Sequence, residues 1–169
     1  MGSLFIRPMW TNGDFDYEGE TDKDGKPHGN GLMVFSNGKK FEGEFRNGLI
    51  DNGIYREKDN SIIARGEFSG GLMRGWGRYR LDNESVNGYG PGFRDYRGEW
   101  ENGQEHGKGV LKTSYGPGRS STITEGEFQH GIPCGICITT VTLLDGDVLI
   151  YEGKHGELLK SQGDWSFLE

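Results

Sequence analysis

Cys134-Gly135-Ile136-Cys137 is the segment of this chain whose residue types and spacing look most like chemistry. Two cysteines at i and i+3 can supply half of a zinc site, with His130 four residues upstream and His155 further on as completing ligands. The same pair could serve as a redox dithiol. Strand geometry opposes both readings, because residues i and i+3 of an extended segment point to opposite faces. No helix N-terminus is expected nearby to activate a thiolate. Structural thiols are therefore expected, with no metal and no cofactor. Cys134, Cys137 and His130 stand as the candidate metal set to be checked.

The remaining candidates for catalysis are thinner. His28 and His106 each directly precede a glycine of a recurring phrase, which suggests a shared turn role. No G-x-S-x-G, H-E-x-x-H or P-loop occurs. Carboxylates are plentiful, but a general acid/base pair needs two of them in distinct environments within a pocket that excludes water. No enzyme is expected. A formal charge of −7, from 26 acidic and 19 basic residues, speaks against the nucleic-acid backbone as a partner. Acidic lipid is disfavoured for the same reason, although Arg74, Arg78 and Arg80 form a local basic patch. The chain contains no apolar run long enough to span a membrane as a helix. Met1–Arg7 lacks the pattern of a secretory signal. Two cysteines are too few for a disulfide framework. A cytoplasmic setting is expected.

What positions these residues is a repeat. Tyr17-Glu18-Gly19-Glu20 is echoed by Phe41-Glu42-Gly43-Glu44-Phe45, Arg65-Gly66-Glu67-Phe68, Tyr96-Arg97-Gly98-Glu99-Trp100, Glu125-Gly126-Glu127-Phe128 and Tyr151-Glu152-Gly153. The basic step is about 23 residues, with later units lengthened. A second phrase follows: Gly29-Asn30-Gly31, Gly75-Trp76-Gly77, Gly107-Lys108-Gly109 and Gly135-Ile136-Cys137. Asn47-Gly48, Gly70-Gly71 and Asn102-Gly103 lie between the phrases as hairpin turn dipeptides. Each unit thus reads as a β-hairpin. Ring, glycine and ring at i, i+2 and i+4 share one face, and glutamates share the other. In the second strands Gly29, Gly31, Met33 and Phe35, or Gly75, Gly77, Tyr79 and Leu81, are expected to share the ring face. Glycine among rings implies space, with an aromatic lying flat where a side chain is missing. Cys137 falls on the second glycine of G-x-G, where packing asks for a small residue.

Composition agrees. With 31 glycines in 169 residues, 32% hydrophobic and 12% aromatic residues, a thin β structure is favoured over a thick two-layer core. On the polar face Glu99 and Glu127 could meet Lys108 and Lys112, and Arg74 and Arg78 could serve Glu67. Such pairs contribute about 0.2–1 kcal/mol each and set register rather than hold a fold.

The phrase Y-x-G-x-W…N-G…H-G-x-G resembles the MORN repeat, from about residue 9 to 165. The resemblance implies an all-β fold: an elongated, single-layer antiparallel sheet of consecutive hairpins, curved and with a groove lined by the ring and glycine positions. Ala64, Thr124 and Thr21 depart from the aromatic positions and interrupt the stripe. On this reading residues 1–16 form an N-terminal segment or capping strand, 17–156 the repeat array and 157–169 a C-terminal cap. Insertions at 83–94 and 114–122 each contain Tyr-Gly-Pro-Gly and are expected as loops presenting Tyr89, Phe93 and Tyr115, either as specificity loops or as tolerated insertions.

The function so implied is a non-catalytic protein–protein interaction module or scaffold. Tyr17, Phe41, Phe45, Phe68, Tyr96, Trp100, Phe128 and Tyr151 would line the groove, which takes an amphipathic helix or a second copy of the chain. Proteins with such repeats are often described at membranes and cytoskeletal structures. The alternative is a regulatory or substrate-positioning arm of a larger enzyme. Asp24-Gly25-Lys26-Pro27-His28-Gly29 looks like the opening repeats of a SET-domain lysine methyltransferase, and plant phosphatidylinositol-phosphate kinases carry similar arrays.

Overall fold

The structure, a computed structural model, describes residues 15–83, 92–114, 116 and 119–154. The strands in chain order are β1 (Phe15–Thr21), β2 (Pro27–Phe35), β3 (Lys40–Arg46), β4 (Leu49–Arg56), β5 (Ile62–Ser69), β6 (Leu72–Asn83), β7 (Gly92–Glu101), β8 (Gln104–Ser114), β9 (Ser121–Gln129), β10 (Ile132–Thr142) and β11 (Val148–Lys154). They form one sheet in which spatial order follows chain order, and no helix occurs among the described residues. The expected all-β meander of hairpins is what the chain forms. It divides into two compact units, residues 1–80 with 99–104 and residues 81–98 with 105–169.

In the first unit the glycines of the repeated phrases stand opposite one another strand after strand. Gly19 faces Gly31, which faces Gly43, and the series continues through Gly53, Gly66 and Gly77. In the second unit Gly109 faces Gly126, and Cys137 faces Gly153. Each rung owes its glycines to space. A Cβ on Gly31 would lie 2.6 Å from Tyr17 Cζ, one on Gly53 2.7 Å from Phe41 Cζ, and one on Gly98 2.5 Å from the Tyr96 hydroxyl. Cys137 takes a glycine's place because its Sγ covers Gly126, 2.6 Å from where a Cβ would sit.

The two glycines of G-x-G do different work, which corrects the expectation that both share the ring face. The first has positive φ, +61° at Gly75 and +64° at Gly135, a region open to glycine at little cost. There the register breaks: Gly66 faces Gly77 while the adjacent Glu67 faces Arg74, so Gly75 and Trp76 have no counterpart on β5. A β-bulge results. The same displacement lies between Cys134 and Ile138. His28 and His106 lie within β2 and β8 beside glycines of positive φ, not in turns.

The tight turns carry positive φ at two successive residues, Asn47-Gly48, Gly70-Gly71, Asn102-Gly103 and His130-Gly131. This twist suits two-residue hairpins. Their glycine N–H groups also tie neighbouring hairpins together. Gly48 donates to Pro27 O (2.8 Å) and Gly103 to Met73 O (2.9 Å) in the first unit, and Gly131 to Glu105 O (3.0 Å) in the second.

The strands run into both insertions. β6 continues to Asn83 and β7 begins at Gly92, so Phe93 is a strand residue rather than part of a loop. β9 starts at Ser121, and Thr122 Oγ1 lies 2.6 Å from Thr113 Oγ1 across the pair. β-Branched residues on both sides favour this extension. Tyr89, Tyr115, His155 and the cap at 157–169 lie outside the described residues, as do residues 1–14 of the N-terminal segment, whose Phe15 and Asp16 open β1.

Candidate interaction surface

The ring face is built from side chains that cover each other. In the first unit Tyr17 packs edge-on against Phe45 (centroids 5.1 Å apart), Phe45 against Phe41 (5.4 Å) and Phe41 against Phe68 (5.7 Å). Tyr79 meets Trp100 at 6.2 Å. In the second unit Tyr96 packs on Phe128 at 4.9 Å, and its hydroxyl donates to His106 O at 3.0 Å. Edge-to-face pairs add about 0.5–1.5 kcal/mol to the burial itself. Phe41, Phe68 and Tyr96 have no exposed surface, and Phe45, Trp100 and Phe128 at most 5%. Of the residues expected to line a groove, only Tyr17 and Tyr151 remain half-buried. Burial also raises the pKa of Tyr17, and pushes that of Tyr55 up to about 12, with Glu57 and then Tyr79 adding to the effect. Phe93 is half-buried at the start of β7.

The cysteine pair is split by the bulge. Cys134 faces Glu127, whereas Cys137 is buried over Gly126 and its thiol donates to Cys134 O at 3.5 Å. Burial, then the neighbouring Cys134, raises the Cys137 pKa. His130 occupies a turn, at φ +52°, in the place held by Asn47 and Asn102 elsewhere, and its ring packs 6.1 Å from His106. Among the described residues no three His, Cys, Asp or Glu side chains are grouped to hold a metal.

One carboxylate was missed by sequence reasoning. Glu105, at the start of β8, is buried, and Arg94 of β7 spans both its oxygens: Nε donates to Oε1 at 3.2 Å and Nη2 to Oε2. Arg94 also donates to Gly131 O at 3.4 Å. Burial outweighs the guanidinium and raises the Glu105 pKa. This pair locks a strand pair to the β9–β10 turn within the second unit.

The opposite face carries three of the most exposed apolar side chains. Trp76 is 63% exposed, Ile136 67% and Ile150 69%. Trp76 and Ile136 are the middle residues of G-x-G, and both stand in bulges with no counterpart on the preceding strand. That is why they project. The signal was present in the sequence as a bulky residue at a position that is Asn30 or Lys108 in other units. Glu67 on this face pairs with Arg74 at 3.8 Å, and Lys108 stands opposite Glu127. On β5 the residue opposite Arg78 is Arg65, and Lys112 stands opposite Ile123 on β9.

The MORN repeat family matches residues 23–40, 41–51, 65–86, 96–114 and 125–140 of this chain. The short second segment coincides with the unit that lacks a G-x-G phrase. The chain is also 32% identical over 111 residues to Alsin of Rattus norvegicus, Mus musculus and Homo sapiens. That stretch is 66% of this chain and 5% of Alsin, so the likeness is to a small part of a far longer protein. Repeats of this family generally serve as non-catalytic modules for protein–protein or membrane interaction.

Proposed function

The chain belongs to the MORN-repeat family, and from that premise we propose that it is a non-catalytic scaffold that binds a segment of a partner protein. One observation carries the reading: a single sheet leaves Trp76, Ile136 and Ile150 more than 60% exposed. Large apolar side chains held out on rigid strands are typical of interaction surfaces rather than of idle ones. The half-buried Tyr17 and Tyr151 extend the choice of contacts to the ring face. A helix or a second copy of the chain are the occupants that suit such faces. The setting that goes with this role is the cytoplasm, at cytoskeletal or membrane-associated structures.

The test is crosslinking and affinity purification of the full-length protein from its own cells. Binding is then measured directly with the recovered partner in purified form. A partner that binds the purified chain upholds the reading; no protein retained above the control overturns it.

A second reading is favoured by the size of the relatives. The matching stretch occupies only 5% of Alsin, so an array of this kind can be one part of a much larger protein. As such a part, the chain would position a substrate or regulate a catalytic domain of the lysine methyltransferase or phosphatidylinositol-phosphate kinase type. The full transcript separates the two readings, since a catalytic domain in the same frame would favour the second.

A further inference from the structure

Three neighbouring strands of the second unit carry an apolar ridge on the face away from the glycine ladder. Ile136, Ile138 and Thr140 follow one another at two-residue steps along β10 and so share that face. Thr140 stands opposite Ile123 of β9 on one side and Ile150 of β11 on the other, and Thr142 stands opposite Val148. The side chains of Ile123, Ile136, Ile138, Val148 and Ile150 are 36–69% exposed. Single exposed aliphatic residues are ordinary, whereas a contiguous group of them marks an interaction site. The ridge is flanked by charge. Ile138 lies between Glu125 of β9 and Glu152 of β11. Both carboxylates are exposed, and neither has an ion-pair partner among the described residues. Lys112 stands one strand further out, opposite Ile123, and Lys154 stands at the end of the ridge, opposite Ile136.

We propose that this ridge docks an amphipathic helix of a partner protein whose apolar stripe is flanked on both sides by lysine or arginine. The inference rests on the interaction-module reading and names the surface and the partner's chemistry. Dimensions and charge carry it. The ridge is two strand spacings wide, about 10 Å, and its run from Ile136 to Thr142 is about 20 Å long. A helix with its side chains is about 10–12 Å across, and about 20 Å of it makes between three and four turns. Laid along β10, such a helix sets its stripe on Ile136, Ile138 and Ile150. Basic side chains on its two flanks then reach Glu125 and Glu152, which accept charge-assisted hydrogen bonds from them. A second copy of the chain suits the ridge less well, because stacking the ridge on itself buries unpaired carboxylates from both copies in one apolar layer. An anionic lipid surface is repelled by the same two groups.

Synthetic peptides of about four helical turns, with apolar residues at i, i+3, i+4 and i+7 flanked by Lys, are titrated by fluorescence anisotropy against the full chain. Control peptides keep the stripe but carry Glu on its flanks. The lysine peptides should bind and the glutamate controls should not. Ile138→Thr with Ile150→Thr keeps the β-branched shape and should weaken binding by at least about tenfold. Glu125→Gln with Glu152→Gln should weaken it to a similar degree and flatten its salt dependence. This glutamine variant should melt with the parent, because both carboxylates are exposed and unpaired, so it tests the site even where the threonine variant is unstable. Trp76→Ala, in the other unit, should bind as the parent does.

Equal binding of the lysine peptides and their glutamate controls would overturn the proposal, as would undiminished binding by the glutamine variant. Dimers in sedimentation velocity that are lost in the threonine variant, with no peptide bound, would assign the ridge to a second copy instead. A purified natural partner that binds both variants as tightly as the parent would remove this site and leave the module reading standing.

Discussion

Tyr96 occupies the space that a side chain at Gly109 would need. A Cβ on Gly109 would lie 2.5 Å from Tyr96 Cζ and 2.6 Å from Cε2, while the Tyr96 hydroxyl is held by His106 O. The ring is fully buried against Phe128 and cannot swing aside freely. Gly109→Ala should therefore cost about 1–3 kcal/mol through overpacking. In the Tyr96→Leu background the same substitution should cost clearly less, and a double-mutant cycle by chemical denaturation measures the difference. Equal costs in both backgrounds would mean that Gly109 is not reserved for the ring.

The row of rings invites a stability test of its own. Phe68 has no exposed surface and packs on Phe41. Phe68→Ala should lower stability by about 3–5 kcal/mol, the usual cost of emptying a buried phenylalanine site. Trp76→Ala, on the other face, should stay within about 0.5 kcal/mol of the parent. Urea denaturation monitored by circular dichroism compares the two. A small loss for Phe68→Ala would show that the ring face is not the structural layer of the sheet.

The two thiols should react at different rates. Cys137 is 1% exposed and burial raises its pKa, whereas Cys134 is half-buried. Ellman's reagent should label one thiol quickly in the native protein and the second only as the sheet opens. Replacing Cys134 with Ser should remove the fast phase. Loss of the slow phase instead would reverse the assignment.

Glu105 should leave a signature in the pH dependence of stability. Its folded pKa is raised by burial despite Arg94, so the folded state holds its proton more tightly than the unfolded chain does. By linkage, the stability it contributes is fully present below the ordinary carboxylate pKa and is lost as pH rises through the raised value. The melting temperature of the parent minus that of Glu105→Gln should therefore fall as pH is raised from about 4 towards neutrality. A difference that rises over this range would mean that the Arg94 pairing outweighs burial. Asp22 and Asp59 act with the opposite sign in both proteins and cancel in the comparison, their pKa values being lowered chiefly by the Lys26 and Ser61 backbone N–H groups.

Much of the fold could be read without coordinates, because both of its ingredients are local. The alternation of Tyr96, Gly98 and Trp100 is a property of one strand, and Asn102-Gly103 is a property of one turn. Their recurrence predicted antiparallel hairpins, and the small residue required at Cys137 followed from its place in the phrase. The bulges escaped this reasoning. A single strand shows alternation but not which residue lacks a partner, so Gly75 and Gly77 looked alike although only Gly75 has positive φ. Glu105 escaped for a similar reason, since Arg94 precedes it by eleven residues and belongs to another strand.

The candidate surface divides along the same line. Sequence alone determined that this chain makes a glycine-rich sheet of hairpins, that the rings share a face with the glycine two residues along the same strand, and that charges gather on the other. Tertiary structure alone decided that neighbouring rings bury Phe41, Phe68 and Tyr96, that bulges push Trp76 and Ile136 outward, and that Arg65 stands opposite Arg78. The physical reason is register. Which side chains meet across a sheet depends on how two strands are aligned, and one bulge resets that alignment for every residue beyond it.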